Sequence, residues 1–380
     1  MMRTALVLDA GIMGLSTAWA LSREGWAVRV VEQDTVPNPR GASVDDHRLI
    51  RHAYGDAVGY MRMIDPAYAA WEMLFAEAGE RPYVETGVLA LAGAPGGWIA
   101  DSRAALAGDG HAPIDLDAAT IAARYPFLAP EGIASAFHMP RGGVLLARQI
   151  VAMLAALLAR RGVTIERAAA TAVDAARATL TLADGRVVAA DALVVAAGPW
   201  APRLLPGLAA RVRPTRQVVV RLAPPGAVAE AWAHAPMLLD IGTTDGFYAV
   251  PPVAGTPLKI GDHRFAATTD PDGPREATGA EVEAILALAR GRIRDLDTYR
   301  VLSASACWYD VEAEERFVVE KIGANSFVMS GFSGHGFKFG ALMGLSVARA
   351  VNDAALAPGL TAWAAGRTAP PPGLLQGLRA

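Results

Sequence analysis

The sequence predicts a mixed α/β fold in which a parallel, helix-covered sheet is interleaved along the chain with an antiparallel sheet. Three observations predict it. Residues 4–34, TALVLDAGIMGLSTAWALSREGWAVRVVEQD, read as a strand, a tight turn, a helix and a second strand. Two later apolar runs, ADALVVAAGPW at 190–200 and SFVMSGF at 326–332, each end in a glycine-containing turn, which is where α/β sheets present their ligands. Residues 214–265 instead alternate apolar and polar side chains over short segments broken by Pro and Gly, the pattern of an antiparallel sheet with two unlike faces.

Taken in order, residues 4–8 form a continuous apolar run suited to a strand buried on both faces, 13–24 carry helix formers with charges at the far end, and AVRVVEQD supplies the second strand. Helical periodicity recurs at 64–78, 147–161 and 279–292, the last after a candidate cap at Thr278. Residues 82–93, PYVETGVLALAG, resemble the antiparallel stretches. The expected division is therefore discontinuous, with 1–80, 143–213 and 306–365 in one domain, 81–142 and 214–305 in the other, and 366–380 a Pro-rich tail.

Composition narrows the function classes. The chain has 380 residues, enough to bury a large core, and its 53% hydrophobic and 19% charged residues mark a globular protein. With 35 basic and 38 acidic residues, nothing electrostatic points to nucleic acid. The single cysteine, Cys307, excludes an internal disulfide or a cysteine-built zinc site and suits a reducing cytoplasm; no metal is expected. Arg3 ahead of an apolar stretch imitates a signal peptide, but Asp9 interrupts it and a helix and strand follow, so the segment is read as mature structure. Charges, Gly or Pro break every apolar run before spanning length, so a soluble cytoplasmic protein without membrane contact is expected.

The first turn resembles the dinucleotide fingerprint G-x-G-x-x-G, whose glycines permit the turn, admit the pyrophosphate and let helix pack on strand. Gly11 and Gly14 keep the second and third roles, while Asp9 stands at the first. Aspartate tolerates unusual backbone angles, but its carboxylate repels a diphosphate unless it turns away or binds the amides itself. Glu32, ending the second strand, is the acid expected on a ribose hydroxyl; it disfavours a 2′-phosphate and leaves FAD or NAD.

Two further stretches, DDHRLIRHAYG at 45–55 and GFSGHGFKFG at 331–340, resemble motifs of the monomeric sarcosine oxidase family among the D-amino-acid-oxidase-like flavoproteins. SACWYDVEAEERFVVE at 305–320 is similar to the segment where those enzymes carry a cysteine bonded to the flavin, and the likeness runs from about residue 4 to 350. The resemblance implies an FAD-binding Rossmann-like domain interleaved with an antiparallel substrate domain, and FAD held covalently through Cys307. It extends the cofactor site over Asp9, Gly11, Ile12, Met13, Gly14, Glu32, Ser43, Arg48 and Gly198, and over Gly334, His335, Gly336 and Lys338 of the glycine-rich turn. That turn opens a helix, so its amides and the positive helix end suit the charge of a reduced flavin.

The resemblance also implies that Arg51 and Lys338 clamp the substrate carboxylate, a task that suits a fork-shaped guanidinium, and that Arg48 lies near the flavin. If helical, Arg48 and Arg51 share a face. It assigns Lys259 to reaction with oxygen, where a cation stabilises developing negative charge, and Tyr248 and His263 to the substrate cavity. Strand alternation puts Lys259 and His263 on one face. His47 and Trp308 depart from the family pattern, which bears on substrate preference. The expected activity is FAD-dependent oxidation of a secondary or N-methyl α-amino acid to an imine, then an aldehyde or keto product, with O2 reduced to hydrogen peroxide by a monomer. The alternatives are a flavin dehydrogenase passing electrons to a quinone or protein, and a non-catalytic nucleotide-binding protein disabled by Asp9.

Overall fold

The computed structural model describes residues 2–242, 246–265 and 268–378; residues 243–245 and 266–267 of the expected antiparallel region and 379–380 of the tail lie outside them. Strand β1 (Thr4–Leu8), helix α1 (Ile12–Arg23) and strand β2 (Ala27–Glu32) form the unit read from the first 34 residues. β1 sits inside a six-stranded sheet, paired in parallel with β2 on one side and with Ala192–Val195 on the other. Ser326–Ser330 continues the parallel set, and Val318–Lys321 closes that edge antiparallel to it. Both faces are covered, which is why these strands need unbroken apolar runs. Ala5, Val7, Val194 and Met329 face the helices, whereas Leu6, Leu8, Val195 and Val328 face a smaller antiparallel sheet that contributes Leu180 and Leu182.

The second layer is an eight-stranded sheet that takes in the 214–265 region. Its strands Val212–Ala223, Leu258–Gly261, Gly246–Val250 and Met237–Ile241 run antiparallel, with Arg300–Glu312 on the outer side of the first. The exception is a parallel pairing of Met237–Ile241 with Val88–Ala92, which joins chain segments far apart in sequence. Period-two alternation gives the sheet two faces. Leu238, Ala249 and Ile260 pack under helix Gly279–Arg290, while Leu239, Tyr248 and Lys259 look into a cavity. That helix begins at Thr278 with a reciprocal capping box: Thr278 Oγ1 accepts from the Glu281 amide, and the Glu281 carboxylate accepts from the Thr278 amide.

Two sequence expectations are corrected. Arg48 lies on a short strand, Arg48–Ile50, paired with Gly143–Leu145, and Arg51 follows it, so the pair does not share a helical face. His263 lies beyond the end of its strand at Gly261, so alternation does not set its direction. Among the described residues no helix is long and apolar enough to cross a membrane.

Helix Gly340–Asn352 crosses α1 at a contact that only glycine allows. A Cβ on Gly344 would lie 2.5 Å from the carbonyl carbon of Ser16, and one on Gly340 2.5 Å from Cγ1 of Ile12. The first obstacle is backbone and cannot yield; the second is a side chain that can turn. Gly344→Ala is therefore expected to lower unfolding free energy by about 1–3 kcal/mol, the usual range for overpacking. Gly340→Ala should lose less, and urea unfolding of the two variants checks the order.

Candidate active site

The first turn brings β1, α1 and β2 together around Asp9. Asp9 takes a positive φ of 89°, the left-handed conformation that glycine adopts without strain. The close approach of the following helix is real: a Cβ on Gly14 would lie 2.0 Å from the Asp9 carbonyl oxygen, and one on Gly11 3.0 Å from Asp9 Oδ2 and 3.1 Å from Ser43 Oγ. Ser43 Oγ accepts from the Ile12 amide at 2.9 Å. Glu32 is 1% exposed, and its carboxylate accepts from the Ala10 amide at 2.8 Å, Asn38 Nδ2 at 2.8 Å and the Asp34 amide at 3.0 Å. Burial pushes the Asp9 carboxyl well above its ordinary range, and Glu32 beside it, joined by a hydrogen bond, pushes it further; the Gly11 and Ala10 amides oppose them. Asp9 thus turns onto the amides and Glu32, one of the two escapes from repulsion open to it.

A channel starts at this turn. Asp9, Gly11, Ile12, Met13, Ser43, Gly198, Gly334, Gly336 and Arg48 all line it, whereas Gly14 and Glu32 stand behind its wall. The channel meets a wider cavity of about 480 Å³ on the cavity face of the eight-stranded sheet, and Arg48, Tyr309, Gly334 and Phe337 border both. Arg51, Tyr248, Lys259, His263, Cys307, His335 and Lys338 lie around this second space. Cys307, His335 and Lys338 therefore belong to the cavity, not to the channel that leads from Asp9. Gly334, at φ 76°, is seated under Tyr309, whose ring carbon a Cβ would meet at 2.2 Å.

The cations of the cavity fall into two groups. Lys259, 2% exposed, donates to Asp45 Oδ2 at 2.7 Å and to the His47 carbonyl at 2.8 Å. The same Oδ2 accepts from Arg48 at 2.5 Å, and Asp45 Oδ1 from Arg221 at 2.5 Å. Burial alone would raise the Asp45 carboxyl, but Lys259, Arg48 and Arg221 outweigh it and hold it well below its usual range. Burial draws the Lys259 ammonium down to about 8 against the pull of Asp45, and burial takes the neighbouring His47 imidazole down to about 3, leaving it neutral. Burial also raises the Cys307 thiol, against the pull of Arg48.

Arg51 and Lys338 form the other group. Among the described residues neither meets a carboxylate, and Arg51 Nη1 is buried with no hydrogen-bond partner. The Arg51 guanidinium lies 4.9 Å from the Tyr54 ring centre and 5.0 Å from that of Trp98. Lys338 Nζ donates to Tyr54 Oη at 2.9 Å and to the His335 carbonyl at 3.2 Å, leaving a third proton uncommitted. Burial lowers both cations, and for Lys338 the charge of Arg51 adds to it. His335 contacts Tyr54 Oη through Nδ1 at 3.3 Å and the Glu315 carbonyl through Nε2 at 3.2 Å. His263 stands at the exposed rim against Glu315, Nε2 to Oε2 3.1 Å.

Several lining residues were not among those the sequence suggested: Asp45, Trp98, Tyr309 and Asp310. Tyr309 and Asp310 adjoin Cys307 on one strand, so alternation from Cys307 could have found Tyr309; Asp45 opens the DDHR stretch, but its partners lie far along the chain.

The FAD dependent oxidoreductase family model, DAO, matches residues 6–350. The chain belongs to this family. A monomeric sarcosine oxidase from Bacillus sp. (strain NS-129) is 27% identical over 354 residues, covering 90% of this chain and 91% of that protein. An N-methyl-L-tryptophan oxidase from Yersinia pestis (strain Pestoides F) is 27% identical over 360 residues, covering 92% and 94%. In fold, this FAD dependent oxidoreductase is similar to an L-proline dehydrogenase from P. horikoshii, with a TM-score of 0.81 at 16% identity over 96% of this chain and 97% of that one.

The residues present fit the family's cofactor. Bare Cα positions at Gly11 and Gly334 flank a channel that runs from the helix start to the cavity holding Cys307, Tyr248 and Lys259. Asp9 is the strained member. Because its folded carboxyl titrates above the unfolded value, the folded chain holds a proton there that the unfolded chain has released, so stability falls as pH rises above the ordinary aspartate range. Asp9→Asn should accordingly unfold at higher urea than wild type at pH 8, with the advantage vanishing near pH 3, where both states of wild type are protonated. A constant offset across pH would assign the effect to the positive φ instead.

Proposed function

We propose that this chain oxidises secondary or N-methyl α-amino acids, with O2 as electron acceptor and hydrogen peroxide as product. One observation carries the reading: Arg51, half-buried with its Nη1 buried and unpartnered, and the buried Lys338 have no carboxylate partner among the described residues and face a cavity joined to the cofactor channel. Leaving a cation buried and unpaired is costly, and a substrate carboxylate supplies the missing anion. The oxidases among the relatives support the same chemistry.

FAD, when bound, would supply the redox chemistry, a two-electron oxidation of the amine to an imine matched by reduction of oxygen. The chain's own residues position and polarise. Arg51 Nη1 and the free proton of Lys338 hold the carboxylate, with Tyr54 and the His335 carbonyl fixing the ammonium. Aromatic walls, Tyr248 and Tyr309 among them, exclude water until the imine hydrolyses in solvent. Cys307, on the cavity wall near Arg48, is the proposed covalent anchor of the cofactor. Acid precipitation should leave flavin absorbance in the wild-type pellet and release it from Cys307→Ser; free flavin in the wild-type supernatant removes the covalent claim.

Lys259 is the proposed oxygen-activating cation, but its Asp45 partner favours a second reading, a dehydrogenase that passes electrons to another acceptor. A carboxylate already shared by Lys259 and Arg48 reduces the positive charge offered to oxygen. Stopped-flow reoxidation of the reduced enzyme separates the two. For the oxidase, the rate should fall as pH rises through about 8, where Lys259 loses its proton. Lys259→Met should slow reoxidation by about 100-fold, the usual penalty for removing one preorganised charge, and erase that pH dependence. Reoxidation indifferent to both changes supports the dehydrogenase.

A further inference from the structure

Among the described residues Trp98 is the one aromatic side chain over Arg51 that comes from outside the Arg51–Gly55 segment, and its seat there is built. Gly55 adopts φ 60°, and a Cβ on it would lie 2.6 Å from Trp98 Cδ1, so the indole rests on a bare backbone. Trp98 starts helix Gly97–Gly108, which is clamped along the segment that carries Arg51. Ser102 Oγ accepts from the Gly55 amide at 2.6 Å. Past the helix end, Asp109 pairs with Arg62 at 2.7 Å. His111 lies against His52, ring centres 4.5 Å apart, and 3.9 Å from Asp65, which Arg141 already neutralises at 2.7 Å. At the helix start, Gly96 and Gly97 are exposed and both take positive φ, 84° and 70°. The helix therefore delivers an indole to a cation that meets no carboxylate among the described residues.

Resting on the reading that Arg51 receives the substrate carboxylate, we infer that Trp98 is a positioning residue of that carboxylate site, holding the Arg51 guanidinium in place and keeping water from it. An aromatic face attracts a cation, and more strongly when both are desolvated. The ring also takes up no in-plane donor, so Arg51 Nη1 stays available to a ligand oxygen. Loss of the ring would let water and alternative rotamers compete for the fork, weakening carboxylates in particular rather than ligands in general.

The test uses flavin-loaded enzyme with benzoate and its neutral isostere benzamide, each read as a change in flavin absorbance. Trp98→Leu keeps an apolar side chain without a π face, and Trp98→Phe restores one. Trp98→Leu should weaken benzoate by about 10-fold, with Trp98→Phe within about 3-fold of wild type, in line with a partly buried cation–π contact. Benzamide affinity should be the same in all three. Equal weakening of benzoate and benzamide, or no preference for Phe over Leu, overturns the inference. Arg51→Met separates it from the reading beneath: if benzoate binding survives Arg51→Met, or wild type shows no benzoate response, the carboxylate reading itself falls. If Arg51→Met abolishes binding and Trp98→Leu leaves it intact, only the role of Trp98 falls.

Discussion

One buried carboxylate ties the layers of this molecule together around the cavity. Asp45 comes from the loop after β2, Arg48 from the strand paired to Gly143–Leu145, and Arg221 and Lys259 from neighbouring strands of the eight-stranded sheet, where they are register partners. Three cations on one acid would be intolerable in a dry interior, and Asp46 accepts from Arg221 at 2.9 Å to share the load. Three positive groups against two negative ones leave a single surplus charge directed at the cavity. Breaking a buried network of this kind typically destabilises by about 3–5 kcal/mol, since the remaining charges lose their compensation.

The cavity is thus divided electrostatically. On the side of Lys259 and Arg48 positive charge is mostly balanced from within, so those groups form a fixed, prepaid environment. On the side of Arg51 and Lys338 no compensating carboxylate is found among the described residues, and in the proposed function a substrate carboxylate supplies it. A site organised this way would hold the proposed anion at one end while keeping its other charges from rearranging, which is the arrangement an orientation-dependent reaction needs.

Much of this was legible in local sequence. The strand–turn–helix–strand unit, the Thr278 cap and the alternation in 214–265 depend on residues a few positions apart, and each appears as expected. What local pattern cannot carry is partnership at a distance. Asp45 looked like one acid in DDHR because its partners Lys259 and Arg221 lie 214 and 176 residues away. HRLIR by itself is read only as a helix, in which Arg48 and Arg51 would share a face; the pairing with Gly143–Leu145 makes Arg48–Ile50 a strand. His263 followed Lys259 at a spacing that suits alternation, but the strand stops at Gly261. Trp98 was invisible for the same reason: its value comes from a bare Gly55 and an orphaned Arg51, neither nearby in sequence.

Strand order sets a timetable for assembly. Ser326–Ser330 inserts beside Ala192–Val195, between that strand and the edge strand Val318–Lys321, and the Gly331–Gly336 turn that borders both cavities follows it directly. A nascent chain that has emerged only as far as residue 300 therefore carries β1, β2 and their covering helix but exposes Ala192–Val195 as an unpaired, wholly apolar edge. Such edges recruit other strands, and long-range pairings form slowly. On the proposed placement of the cofactor, its capture would await the Gly331–Gly336 turn, and a growing polypeptide with that edge still open is the one most exposed to misassociation.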